Sequence, residues 1–245
     1  MIDKEKRLHY FKKMEIPLWI LRENGNKISK ETAKDDDMPR NMPEKSLMTR
    51  EQKFSTLNWQ ELRLAVNNCK ACDLYKTRSN PVFGVGNLDA DLLVIGEAPG
   101  ANEDKQGEPF VGRGGQLLTN MLSAIGFKRE DYYIANILKS RPPNNRDPSS
   151  EEVKACTPYL LRQISLIKPK LILAVGRIAA HYLLATNASM ASLRGNLFHF
   201  GVNKIPLLVT YHPAYLLRSP REKRKAWQDM QCVKKQLDLE VIEHG

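Results

Sequence analysis

Short apolar runs recur along the second part of the chain, and their lengths predict buried β-strands. The runs cover residues 92–95, 132–137, 171–175 and 205–209. They do not alternate with polar residues, which indicates strands covered on both faces. Stretches with helical spacing lie between and after them, near 114–125, 150–167, 177–186 and 220–239. This alternation predicts an α/β fold with three α/β/α layers and a central, mostly parallel, four-stranded sheet.

The first part of the chain has a different pattern. Residues 1–55 are polar, mix both charges and show little periodicity. We predict an irregular N-terminal arm over residues 1–55, flexible or loosely docked, and a folded domain over residues 56–240. An apolar island at 17–21 could dock on this domain or on a protein partner, and both alternatives stay open.

The charge balance narrows the class of partner. The chain has 245 residues, a formal net charge of +10 and a pI near 9.4. This balance favours a polyanionic partner, most commonly nucleic acid, although a basic protein without such a partner fits the charge equally well. No run approaches the roughly 18 apolar residues of a membrane span, and the first residues lack the apolar core of a signal peptide. We therefore expect a cytoplasmic protein with no membrane partner.

The segments that follow the strands contain the candidate chemistry, because parallel sheets bind ligands beyond the carboxyl ends of their strands. A loop dense in glycine follows the first strand and carries three carboxylates, Glu97, Glu103 and Asp104. Asn136 lies near the end of the second strand, and His212 follows the fourth strand directly before a proline. We expect these side chains to meet at one edge of the sheet.

The cysteines add a candidate metal or redox site. There are four of them: Cys69, Cys72, Cys156 and Cys232. Cytosolic proteins seldom keep structural disulfides. The close spacing of Cys69 and Cys72 therefore indicates half of a metal or cluster site, or a redox pair.

Together these segments resemble the family 4 uracil-DNA glycosylases. The resemblance rests on GEAPGANEDKQGEPFVGRGGQLL, YIANILKSRPPNNRDPSSEEVKAC, LILAVGRIAAHYLL and TYHPAYLLR, in the family's order and at its spacings. It covers about residues 60–235, so that residues 1–55 fall outside it. The first and last of these motifs are specific when they occur together.

The resemblance implies that the chain takes uracil out of DNA and breaks its glycosidic bond. His212 and Glu97 are then the catalytic residues. His212 would donate to uracil O2, where negative charge grows as the bond breaks, and Glu97 would position or activate water and offset the cationic sugar. Glu103 and Asp104 are weaker candidates for the water.

The same resemblance implies a set of substrate-binding residues. Asn136 offers a donor and an acceptor that match uracil O4 and N3–H and disfavour cytosine. Phe110 is suited to stack on the extruded base. The remaining members of the set are Ala98, Gly100 and Glu103.

A DNA-binding surface follows the last motif. Residues 213–218 resemble the loop that enters the duplex, with Leu217 as an apolar wedge. Arg141, Arg146 and Arg218 could bind phosphates, although charged residues are commonly only a solvated face. Their position beside the wedge favours DNA. Uracil-containing DNA is thus the expected partner, and we expect the chain to act as a monomer.

The resemblance is incomplete at the cluster. Family members typically carry a structural 4Fe-4S cluster on four cysteines, and Cys69, Cys72 and Cys156 match three of these positions. The other position is Ser140, in KSRPP where the family has KCRPP. A serine oxygen replaces a soft thiolate poorly. Three outcomes stay open: a cluster with a weak, labile or exogenous ligand, a different metal, or no cluster. Cys232 is a further conceivable ligand, although it lies in the predicted C-terminal helix.

The motifs favour a hydrolase, a monofunctional uracil-DNA glycosylase that initiates base excision repair. The alternative is a catalytically reduced, DNA-binding relative of the same fold. The catalytic and base-binding residues that the chain retains argue against that alternative. A nucleotide-binding Rossmann-like enzyme is indicated only by Gly84-Val85-Gly86, which precedes the first strand and so lies on the wrong side for a dinucleotide site.

Overall fold

The computed structural model describes residues 50–243, with the backbone alone at residue 51 and at residues 239–243. The predicted arm over residues 1–55 therefore lies outside the described residues, except for its last six. Those six form a helix, Arg50–Ser55, that packs on the folded domain. Within it the Phe54 ring lies 4.7 Å from the ring of Tyr159, and Arg50 donates to the Tyr159 hydroxyl at 3.1 Å.

A mixed sheet of six strands forms the centre of the described domain. The strands are β1 (Val85–Gly86), β2 (Leu92–Gly96), β3 (Tyr132–Asn136), β4 (Leu171–Val175), β5 (Phe198–Phe200) and β6 (Ile205–Thr210), in the order β1-β3-β2-β4-β6-β5. The four inner strands are parallel, whereas β1 and β5 pair antiparallel at the two edges. The predicted α/β fold with four parallel strands is confirmed. The Gly84-Val85-Gly86 motif lies at the antiparallel edge, away from the strand exits.

Nine α-helices in the described range surround the sheet. They are α1 (Arg50–Ser55), α2 (Trp59–Asn67), α3 (Ala101–Gln106), α4 (Arg113–Ser123), α5 (Ser150–Ile167), α6 (Arg177–Leu184), α7 (Met190–Leu193), α8 (Pro213–Arg218) and α9 (Lys223–Glu243). The helices predicted from spacing correspond to α4, α5, α6 and α9. The short helices α3 and α8 occupy segments predicted only as loops after strands, and both of them border the site.

Two apolar layers cover the two faces of the sheet. Along β2, Leu93 and Ile95 belong to one core with α5 and α6, while Leu92 and Val94 belong to the other with α4 and α9. This assignment follows from the strand geometry, since successive side chains point to opposite faces. The three α/β/α layers place the exits of β2, β3, β4 and β6 at one edge. In the range from 50 to 243, no helix combines the length and apolarity needed to cross a bilayer.

Candidate active site

A cavity of about 450 Å³ opens at the carboxyl edge of the parallel strands. It brings together all the predicted catalytic and substrate-binding residues: Glu97, Ala98, Gly100, Glu103, Phe110, Asn136 and His212. They arrive from three strand exits, as the topology requires. The cavity is therefore the candidate active site, and we refer to it as the main cavity.

Asn136 ends β3 and holds an unpaired polar atom in the main cavity. The side chain is buried, and its Oδ1 has no hydrogen-bond partner in the described structure. Gly96, at the end of β2, permits this arrangement: a Cβ there would collide with Asn136 Oδ1 and with the Phe110 ring. An unpaired buried amide oxygen is costly. Asn136 thus presents an acceptor, beside an aromatic face, that a ligand donor would satisfy.

His212 lies across the cavity as a neutral donor. Its Nδ1 accepts the Ala214 N–H at 3.2 Å as the N-cap of α8, which leaves the proton on Nε2. Burial, helped by the positive charge of Arg218, lowers the pKa of the imidazole to about 4. The ring stacks against Phe110 with centroids 5.8 Å apart. At neutral pH the site therefore offers an uncharged Nε2–H next to the aromatic face.

Glu97 directly follows β2 and is the half-buried carboxylate of the site. Burial, with a smaller contribution from the negative charge of Asp147, raises the pKa of Glu97 to about 7, and the positive charge of Arg177 opposes the rise. Such a carboxyl group exchanges its proton near physiological pH, as a general base requires. Glu97 is thus the carboxylate best suited to act on water.

The other two carboxylates of the glycine-rich loop are engaged in holding the loop. Glu103 Oε1 accepts the backbone N–H groups of Val111 and Gly112, each at 3.0 Å. These bonds fix the segment that carries Phe110. Asp104 is buried and accepts the Ser79 N–H at 2.9 Å, and it does not line the main cavity. These contacts favour a role for Glu103 and Asp104 in positioning the loop, which distinguishes both residues from Glu97.

Comparison with known proteins identifies the family to which the chain belongs. The model of the uracil DNA glycosylase superfamily matches residues 83–231. The chain belongs to this superfamily. It is 43% identical over 186 residues to a type-4 uracil-DNA glycosylase of Archaeoglobus fulgidus, covering 71% of this chain and 93% of that relative. A type-4 enzyme of Saccharolobus solfataricus is 44% identical over 184 residues, 72% of this chain and 85% of that relative. One of Thermotoga maritima is 47% identical over 157 residues, 63% and 80% respectively.

In this member of the superfamily, the predicted DNA-binding residues differ in their surroundings. Arg218 is exposed and lines the main cavity. Arg146 also lines it, but its guanidinium is paired with both Glu152 oxygens, at 2.9 and 2.6 Å. Arg141 donates to Asn145 at 2.8 Å and does not line the cavity. Leu217, the predicted wedge, is half-buried on α8, where the more exposed apolar residue is Tyr215.

Two residues beside Glu97 were missed by the sequence interpretation. Arg177 and Asp147 form an ion pair at 2.8 Å, and both act on the pKa of Glu97. Arg177 directly follows the exit of β4, so the strand-exit rule could have found it. Asp147 lies in the loop before α5, and nothing in the spacing indicates that it reaches Glu97.

The four predicted cluster positions, Cys69, Cys72, Cys156 and Ser140, supply three sulfurs and one hydroxyl. Cys69 and Cys72 are half-buried, Cys156 is buried in α5, and burial raises the pKa of the Cys156 thiol to about 11. Ser140 is buried, and its hydroxyl accepts an Arg78 N–H at 2.8 Å. In the part of the chain that the structure describes, no three metal-ligating side chains are grouped to hold an ion. These residues do not fit a 4Fe-4S cluster held by four protein thiolates.

Cys232 does not complete that set. Its side chain packs against the core between the sheet and α9, whereas Cys156 belongs to the core on the opposite face. A sheet therefore separates the two sulfurs. The interpretation of Cys232 as a substitute ligand is wrong for this geometric reason.

Proposed function

We propose that the chain is a monofunctional uracil-DNA glycosylase that hydrolyses the N-glycosidic bond of uracil in DNA and initiates base excision repair. The observation that carries this proposal is the buried, unpaired Oδ1 of Asn136 beside the ring of Phe110. Uracil supplies the missing donor at N3–H, and its O4 would accept from the Asn136 Nδ2. Cytosine has an acceptor at N3 and a donor at N4, and so it would leave both contacts unmatched.

His212 would assist departure of the base. As the C1′–N1 bond breaks, its electron pair passes to uracil and negative charge develops on O2. A neutral Nε2–H stabilises that charge by a hydrogen bond. With a pKa of about 4, the His212 imidazole is neutral at pH 7 and carries a single N–H proton, which it keeps when it donates the hydrogen bond. The low pKa therefore suits His212 to hydrogen bonding and not to proton transfer.

Glu97 would act on the sugar side. Its ionised carboxylate offsets the positive charge on the sugar and accepts a proton from the attacking water, whose oxygen bonds to C1′. The uracil anion then takes up one proton from solvent while Glu97 releases the one it accepted, so that the products are free uracil and an abasic site, with the strand intact. The Glu97→Ala variant lacks the carboxylate that accepts the proton from water, but it keeps the residues that are proposed to bind uracil.

The DNA itself would approach across α8 and Arg218. Residues 213–218 stand at the rim of the main cavity, where an apolar side chain can fill the gap left by the flipped nucleotide. We propose that Arg218 binds phosphate, with Arg146 and Arg141 in weaker contacts because each already has a side-chain partner. Leu217 remains the proposed wedge.

The pH dependence of the reaction tests the role of Glu97. Because only the ionised form acts as a base, kcat/KM is expected to fall as the pH drops below about 7. Asp147→Asn removes a negative neighbour and should move this acid limb to lower pH, whereas Arg177→Gln should move it to higher pH. The measurement is the pH profile of kcat/KM for wild type, Asp147→Asn and Arg177→Gln. Identical acid limbs in the three proteins would contradict the role of Glu97 as the base.

The alternative of a catalytically reduced DNA-binding relative makes a different prediction. A purified sample is incubated with oligonucleotides that contain uracil, thymine or cytosine at one position, and abasic sites are then cleaved with alkali. We expect cleavage only at uracil. DNA binding without cleavage at uracil would favour the reduced relative.

We further propose that the chain holds at most an incomplete cluster and that base excision does not require one. Ser140→Cys is expected to restore the fourth thiolate, so that anaerobic reconstitution yields about four irons per chain and broad absorbance at roughly 400 nm. Wild type should hold less iron and lose it faster in air. Cys232→Ser is the matched control and should match wild type. Equal iron content and equal stability in wild type and Ser140→Cys would contradict this proposal.

The remaining proposals concern the setting of the protein. We propose that it acts on DNA in the cytoplasm as a monomer. The N-terminal arm, most of which lies outside the described residues, is proposed as a contact for a protein partner through residues 17–21.

A further inference from the structure

A second cavity, of about 550 Å³, adjoins the main cavity. The two share Glu97, His212 and Arg218 as common walls. The remaining lining residues of the second cavity are Gly176, Arg177, Ile178, Met190, Tyr211 and Tyr215. The six residues that line only this cavity make none of the contacts proposed above for the uracil base. We refer to the second cavity as the flanking cavity.

In the wall that the two cavities share, the residues that follow β4 and β6 lie close together. Gly176, at the end of β4, has φ +93°, and a Cβ there would lie 2.9 Å from the His212 Cβ. Because Gly176 has no Cβ, His212 can lie between the two cavities. A ligand group in the flanking cavity would lie on the other side of the residue proposed to contact uracil O2.

The charges of the flanking cavity suit an anion at its rim. Arg177 and Arg218 are both exposed there, and Glu97 is the one carboxylate among the described lining residues. Arg177 is paired with Asp147, but the side chains are 55% and 64% exposed. Exposed pairs of this kind contribute little, so a phosphate can compete with Asp147 for the guanidinium. A phosphate bound near Arg218 would lie at the junction with the main cavity.

The apolar surface of the flanking cavity suits a flat ring. Tyr211 is held in place, since the Arg194 guanidinium lies 4.5 Å from its ring centroid and the Tyr215 ring lies 5.1 Å away. Tyr215 remains 37% exposed. Ile178 and Met190 supply further apolar surface. An aromatic ring that is fixed on one side and open on the other is a stacking platform for a nucleobase.

We infer that the flanking cavity binds the nucleotide next to uracil in the same strand, with its base on Tyr215 and the bridging phosphate between Arg218 and Arg177. This inference rests on the proposed function. A neighbouring nucleotide is favoured because its phosphate is covalently joined to the uracil nucleotide, and because the exposed Arg218 lines both cavities and so can contact that phosphate from either one. Binding there would hold the strand while uracil enters the main cavity.

The test uses oligonucleotides in which one base is replaced by a tetrahydrofuran abasic analogue. The replaced position is the 5′ neighbour of uracil, the 3′ neighbour, a position four nucleotides away or, in duplexes, the base opposite uracil. Single strands and duplexes are both measured with the full chain. We expect loss of the base at one of the two positions next to uracil to lower kcat/KM by about 5- to 150-fold, the range for one base–aromatic stack. Replacement at the other positions should have little effect on kcat/KM.

Variants of Tyr215 assign the effect to the flanking cavity. Tyr215→Ala should lower kcat/KM on the intact strand by a similar factor and remove the difference between substrates with and without the neighbour. Tyr215→Phe keeps the ring and should retain that difference. Tyr75→Ala, at a tyrosine with the same 37% exposure outside the site, is the matched control.

Two results would overturn the inference while leaving the proposed function intact. One is uracil excision by wild type that is equally fast on all substrates or sensitive only to the base opposite uracil. The other is a Tyr215→Ala variant that keeps the full neighbour dependence. Absence of excision on every substrate would instead contradict the proposed function itself.

Discussion

His212→Ala is expected to lower kcat for uracil excision by about 10²- to 10³-fold, the usual cost of removing one donor to a developing oxyanion. KM should change little, because the hydrogen bond strengthens only as charge grows on O2. Single-turnover measurement of abasic-site formation gives the chemical rate directly. His212→Gln, which can still present an N–H donor, should recover part of the rate.

His199→Ala is the matched control for His212. His199 is exposed on the edge strand β5 and lines neither the main cavity nor the flanking cavity. The His199→Ala variant should excise uracil at the wild-type rate. A His212→Ala variant within about threefold of wild type would remove His212 from the reaction, since such a difference corresponds to under 1 kcal/mol.

Asn136→Ala is expected to lower kcat/KM for uracil by roughly 30-fold to 2 × 10⁴-fold. It removes two hydrogen bonds to the base in a buried site, at about 1–3 kcal/mol each. The carbonyl of Asn136 still accepts the Lys139 Nζ at 2.8 Å, so the strand end stays anchored. The measurement is kcat/KM on single-uracil oligonucleotides, together with thermal unfolding to verify the fold.

Asn120→Ala serves as the control for Asn136, because Asn120 is exposed on α4. It should behave as wild type. Asn136→Asp extends the test to specificity: a carboxylate lacks the amide donor that uracil O4 requires and accepts from cytosine N4–H instead. The ratio of uracil to cytosine excision should therefore fall. An unchanged ratio would contradict the proposed reading of the base by Asn136.

The central strands and the location of the site could be predicted from the sequence. The four parallel strands are continuous apolar runs, because both faces are buried, and such runs stand out from the polar loops. The edge strands Val85–Gly86 and Phe198–Phe200 were missed because two or three residues cannot display a period. Glu97, Asn136 and His212 were found together because the carboxyl ends of parallel strands meet at one edge.

The partners of the site residues could not be predicted in the same way. The hydrogen bonds of Glu103 to the loop that carries Phe110 depend on the turn after α3, and not on any periodicity. The pairing of Arg146 with Glu152 likewise depends on the conformation before α5. Sequence motifs identify which side chains reach the cavity. Only the fold shows which of them are already engaged.

The most direct test of the proposed function is to measure free uracil and abasic sites in one reaction. Wild type and Asn136→Ala are incubated with an oligonucleotide that contains one uracil, released base is quantified by mass spectrometry, and strands are analysed before and after alkali. The proposed function predicts one free uracil per abasic site for wild type, an intact strand before alkali, and a greatly slowed reaction for Asn136→Ala. No release of uracil by wild type, or equal release by the two proteins, would contradict it.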